Sequence, residues 1–174
     1  MMIIKRLMHV LAFLVPLILL SGCPFNSEVP LCDTKNSVVD DSLLGSWASP
    51  DGDEDSQAVL HFLQFNSNEY LVIFTENNET SLFRAFAREI ENAQFLTITE
   101  IHSGIPEPPN YIFARYHIQK GALEIRLVEE DLFEGKTFKS PEQLTKFIAT
   151  HVENDSLYGE SQTMNRLSDS EISW

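Results

Sequence analysis

From Leu43 onward the chain is written in short runs of alternating apolar and polar residues, and small clusters of turn-forming residues break the runs. A period of two places successive side chains on opposite faces of an extended backbone. The runs predict strands over 44–48, 57–65, 69–75, 81–90, 94–102, 110–119 and 122–130. Asn66-Ser67-Asn68, Asn77-Asn78, Glu91-Asn92 and Lys120-Gly121 supply turns, because Asn and Gly tolerate the left-handed backbone that tight hairpins need. Residues 103–109 (SGIPEPP) must form a loop, since proline cannot donate to a strand ladder.

One hairpin can be checked side chain by side chain. A two-residue turn at Lys120-Gly121 opposes Ile118 with Leu123, Tyr116 with Ile125, and Ala114 with Leu127. The other face opposes His117 with Glu124 and Arg115 with Arg126. One apolar and one polar face is what an antiparallel sheet over a core requires.

A helix follows over 141–152. Ser140 suits the N-cap, Pro141 the first turn, and Gln143 a capping box. Leu144, Phe147, Ile148 and His151 recur at helical spacing and form a stripe for docking on the sheet. An eighth strand over 162–167 and a polar tail over 169–174 complete the pattern. The fold class is therefore mainly β: an antiparallel up-and-down barrel, or strongly curled sheet, of about eight strands with one helix before the last strand. Closure removes the exposed edges such a sheet would otherwise carry.

Charge excludes one class of partner. The 174 residues carry 12 Lys and Arg against 26 Asp and Glu, a formal net charge of −14. Nucleic-acid surfaces need clustered cations to displace phosphate counterions, so nucleic-acid binding is excluded.

The N-terminal segment has a separate logic. Lys5 and Arg6 precede an apolar run from Leu7 to Leu20, which is too short for a finished membrane span and has the three-part form of a signal peptide. Leu20-Ser21-Gly22-Cys23 resembles the lipobox of bacterial lipoproteins. That resemblance implies cleavage between Gly22 and Cys23 and acylation of Cys23, which anchors the chain in a membrane. It also implies a location in the bacterial cell envelope. Because Pro24 rather than Asp follows the cysteine, this is the outer membrane if the cell is Gram-negative. Residues 1–22 are then an address and 23–42 a lipid anchor with a flexible tether. Residues 43–168 form the domain. Cys32 is a spare thiol within the tether. Anionic headgroups repel so acidic a domain, which is expected to stand off the bilayer, tied by lipid alone.

A second resemblance lies in the first strand. Leu44-Gly45-Ser46-Trp47 is similar to the G-x-W of lipocalins and other calycins. In that superfamily the Trp closes one barrel end beneath a basic residue from near the C-terminus, a part that the resemblance implies for Arg166 through a cation–π contact. The departure is that the lipocalin basic residue precedes the C-terminal helix, whereas Arg166 follows helix 141–152. The resemblance implies a small apolar ligand held inside.

Chemistry is sparse. Asp51, Asp53 and Asp55 have the spacing that opens an EF-hand loop, but Ser56 and Phe62 stand where the loop needs Gly and Glu. Glu100 with His102, and His117 with Glu124, read as surface ion pairs. No catalytic motif, metal-ligand cluster or phosphate loop is present, so no catalytic residue, metal or cofactor is assigned and no enzyme is expected. Twelve Phe and four Tyr are many for one small barrel. Ala85 and Ala87 put small residues on one face of the fourth strand, and with Tyr116 they are candidates to line a pocket. Two readings remain: a module binding a small apolar ligand, or a structural protein with a filled core that contacts an envelope partner.

Overall fold

Strands that follow one another through two-residue turns pair with their neighbours, and here the pairing runs full circle. The structure is a computed structural model that describes residues 23–50, 57–101 and 110–168. Eight antiparallel strands close in simple order: β1 (Gly45–Ala48), β2 (Val59–Gln64), β3 (Tyr70–Glu76), β4 (Glu79–Ile90), β5 (Ala93–Glu100), β6 (Ile112–Gln119), β7 (Ala122–Leu127) and β8 (Gln162–Arg166). The β6–β7 register is the one read from the sequence, including Ala114 opposite Leu127.

Three hairpins share one turn chemistry. Asn77-Asn78, Glu91-Asn92 and Lys120-Gly121 all have positive φ at both central positions. This is the type I′ geometry whose twist matches the strands. It draws β4 back to Glu79, two residues earlier than the alternation suggested.

The closing seam is short. Only Trp47 with Arg166 and Ala48 with Asn165 pair between β1 and β8. The Leu167 N–H adds a bond to the Ser46 carbonyl at 2.9 Å.

Helix α1 (Pro141–His151) starts as expected, with Ser140 Oγ accepting from the Gln143 N–H. The Gln143 side chain reaches one residue past the usual capping-box donor, to the Lys139 N–H at 3.0 Å. Leu144 and Ile148 are fully buried against the outside of the barrel, in a cluster with Phe95, Phe113 and Ile90. His151 is half-buried at the edge, its ring against Phe147.

The segment read as a flexible tether is instead laid onto the barrel. Leu31 is fully buried and Cys32 nearly so. Phe25 stacks on Phe133 at 3.7 Å. The Leu31 carbonyl accepts from both Arg88 and Thr145, each at 2.7 Å, which ties the strap to β4 and α1. Its apolar residues pack one by one against different elements, so they carry no period for a sequence reading to detect. Residues 1–22, Asp51, Asp53, Asp55, His102 and the tail 169–174 lie outside the described residues.

Candidate ligand site in the barrel interior

Alternation decides which side chains point inward, and chain direction decides at which end they lie. The turns 65–69, 91–92 and 120–121 share one end with the start of β1 and the end of β8. The other end holds the β3–β4 turn, the end of β1 and start of β2, the end of β5 and start of β6, and the long excursion between β7 and β8. The first end is a floor and the second a mouth.

The floor is packed, apart from the cleft beside Ala87 and Tyr116. Leu43, Trp47, Tyr70, Ala85, Leu96, Ala114 and Leu123 are all fully buried in one cluster. The Trp47 indole N–H donates to the Leu43 carbonyl at 2.9 Å, which satisfies the polar atom of a buried ring. The Arg166 guanidinium lies over that ring, 4.3 Å from its centroid, and donates to the carbonyls of Leu44 and Ser42. Gly45 makes this approach feasible. Its φ is +121°, and a Cβ there would stand 2.9 Å from Arg166 Nη1. The structure thus brings Gly45, Trp47 and Arg166 into one contact at the seam.

The strap continues beneath the barrel as a plug. Ser37 Oγ donates to the Ala87 carbonyl at 2.6 Å. The Asp40 N–H donates to the Tyr70 hydroxyl, and the Tyr116 hydroxyl donates to Asp40 Oδ2 at 3.1 Å. Burial pushes the Tyr70 phenol up to about 12. Burial first, and then the Asp40 charge, raise Tyr116 further in the same direction. This trio escaped the sequence reading. Its members are 30 and 76 residues apart, and Asp40 carries no motif.

The mouth half differs. Leu60, Phe74, Phe83, Ile98, Ile112, Ile125 and Leu127 share the inward parity of Trp47 and Tyr70 but are only partly buried, and five of them (Leu60, Phe83, Ile98, Ile125 and Leu127) pack against the floor cluster. They form an apolar wall in contact with water. Glu76 and Glu79 pair across the β3–β4 hairpin at its lip.

The pocket candidates divide. Ala85 is enclosed, with Tyr70 and Ile98 as its cross-strand partners, so its small size makes room for the floor packing. Ala87 and Tyr116 border a side cleft of about 610 Å³ between the plug and the floor ends of β4–β6, with Val39, Asp40 and Gln94. None of the three lines the mouth.

On the outer wall, Ser46 Oγ and His61 Nδ1 lie 2.7 Å apart across β1 and β2. Burial lowers the His61 pKa. Among the described residues, no three His, Cys, Asp or Glu side chains gather as a metal-binding group. His117 and Glu124 oppose each other as read. Cys23 is exposed and Cys32 buried, both as free thiols. No family model, curated protein or solved structure matches this chain.

Proposed function

We propose that this chain is a non-catalytic, lipid-anchored binding module of the bacterial cell envelope. Its mouth half takes a small apolar or amphipathic ligand, in the manner of lipocalins. The observation that carries the reading is the partly exposed apolar wall above a packed floor. Wet apolar surface costs about 25 cal/mol per Å², and an apolar guest that covers it recovers that amount. Concave, mostly apolar sites closed at one end are the usual form of small-molecule pockets. Acylation at Cys23 rests on the Leu20-Ser21-Gly22-Cys23 sequence.

The test is titration of the folded protein with a fluorescent hydrophobic dye, followed by displacement with single-chain amphiphiles. Saturable binding that Ile98→Glu abolishes, with the fold retained by circular dichroism, is the expected result. A dye response that Ile98→Glu leaves intact refutes the site.

A second reading has its own observation. Leu63, Phe65 and Leu82 are exposed on the outer face of β2 to β4, which suits a structural protein that docks an envelope partner there. Loss of partner capture in Leu63→Asp with Leu82→Asp, and no dye binding by the parent, would favour it.

A further inference from the structure

The position of Cys23 relative to the barrel gives the anchor a direction. The Cys23 carbonyl accepts from the Glu130 N–H at 3.1 Å, and the Phe25 N–H donates to the Val128 carbonyl at 2.8 Å. Ser27 and Tyr111 exchange both backbone hydrogen bonds, at 3.0 and 2.8 Å. Pro24 bridges Glu129. Residues 128–130 continue β7 past its mouth end, and Tyr111 immediately precedes the mouth end of β6. At roughly 3.4 Å per residue, Cys23 stands about 10 Å beyond the last rung of β7 on the mouth side. Its side chain is exposed, and no free residue separates it from the fold.

A slack tether of twenty residues would let the domain take any attitude at a membrane. Here the anchor atom and the first hydrogen bond to the barrel belong to the same residue. Pro24, with its fixed φ, stiffens the exit further. The floor, at Lys120-Gly121, lies at the opposite end of β6 and β7.

We propose that the barrel is held mouth-down on the bilayer that carries its Cys23 lipid. The mouth rim beside β6 and β7 is the membrane-facing surface. The ligand is then a single-chain amphiphile of that bilayer, which passes between lipid and the Leu60–Phe83–Ile98 wall without crossing bulk water. This rests on acylation at Cys23, which the same experiment checks. The rim carboxylates Glu76 and Glu79 resist anionic headgroups, so the contact is made on a neutral bilayer.

The purified lipidated chain is placed on phosphatidylcholine vesicles that contain a lipid-borne quencher. A fluorophore is carried at Thr80→Cys, on the mouth end of β4, or at Gln119→Cys, on the floor end of β6, each with Cys32→Ser. Quenching several-fold stronger at position 80 than at position 119 is expected. Hydrogen exchange of the unsubstituted lipidated chain provides the second measurement. Amides near residues 79–81 and 110–112 slow on vesicles, and those near 119–122 do not. Equal or reversed quenching, or equal protection at both ends, overturns the orientation alone. A purified chain without the diacylglyceryl mass on Cys23 overturns the anchor, and the orientation with it.

Discussion

The two halves of the barrel are built from the same strands and solve opposite problems. The floor gathers Leu43, Trp47, Tyr70 and Leu123 into a cluster with no exposure. Phe83, Ile98 and Leu127 face the same interior and stay only partly buried. The small residues follow this division. Ala85, Ala87 and Ala114 lie in the floor half, where the incoming plug and aromatic rings need room. The barrel interior is thus packed most tightly at one end, and the other end keeps some apolar surface uncovered. A protein that maximised its own packing would fill both.

If that contrast holds, truncation at the two ends should differ in kind. Trp47→Ala should cost about 3–5 kcal/mol in urea unfolding, because it opens a cavity in the sealed half and strips the Arg166 contact. Phe83→Ala should cost well under half as much while weakening amphiphile binding. Similar costs at both positions would mean that the mouth is packed after all.

Alkaline titration probes the floor without truncation. The folded Tyr70 pKa is raised, so its stabilising contribution is fully present below the unfolded value near 10 and is lost as pH rises through about 12. Tyr116 shifts in the same direction and extends the loss upward. The Tyr70 contribution should therefore fall across pH 10–12 by roughly 2 kcal/mol, Tyr116 adds to the loss over the same window, and Tyr70→Phe should make the slope shallower. A parent curve already flat over this window would contradict a dry floor.

Arg166→Ala should cost about 1–2 kcal/mol, because it removes charged donors from the Leu44 and Ser42 carbonyls together with the cation–π contact. Arg166→Lys should recover little, since one ammonium cannot span two carbonyls and stack on the indole. Full rescue by Lys would reduce the residue to a point charge.

The smallest effect belongs to the lip. Glu79→Lys turns a like-charged cross-strand pair with Glu76 into an attractive one and should stabilise by a few tenths of a kcal/mol. A larger gain would mean that the lip carries strain which the wet mouth was not expected to hold.

What the sequence made legible follows from how local its causes are. The β6–β7 register could be read because a two-residue turn fixes every opposing pair. Helix α1 could be read because its cap and stripe lie within eleven residues. The strap could not. Leu31 is held by Arg88 and Thr145, 57 and 114 positions away, and nothing within residues 24–42 signals those partners. Alternation marked Ala85 and Ala87 as inward but could not say that the Tyr70 ring would fill the space at Ala85 while a cleft stays open between Ala87 and the plug. The Asp40–Tyr70–Tyr116 trio was hidden for the same reason.

The seam also sets an order in time. Trp47 pairs with Arg166, and Arg166 reaches back 122 positions to the Leu44 carbonyl. Hairpins from β2 to β7 can form as each turn emerges, because their contacts are local. The first strand has no second neighbour until the last has been made. A chain released N-terminus first therefore stays an open, edge-bearing sheet until its final few residues arrive, and closure is its last folding event. C-terminal truncation before Gln162 would leave that sheet permanently unclosed, with the inner edges of β1 and β7 free to recruit strands from other copies.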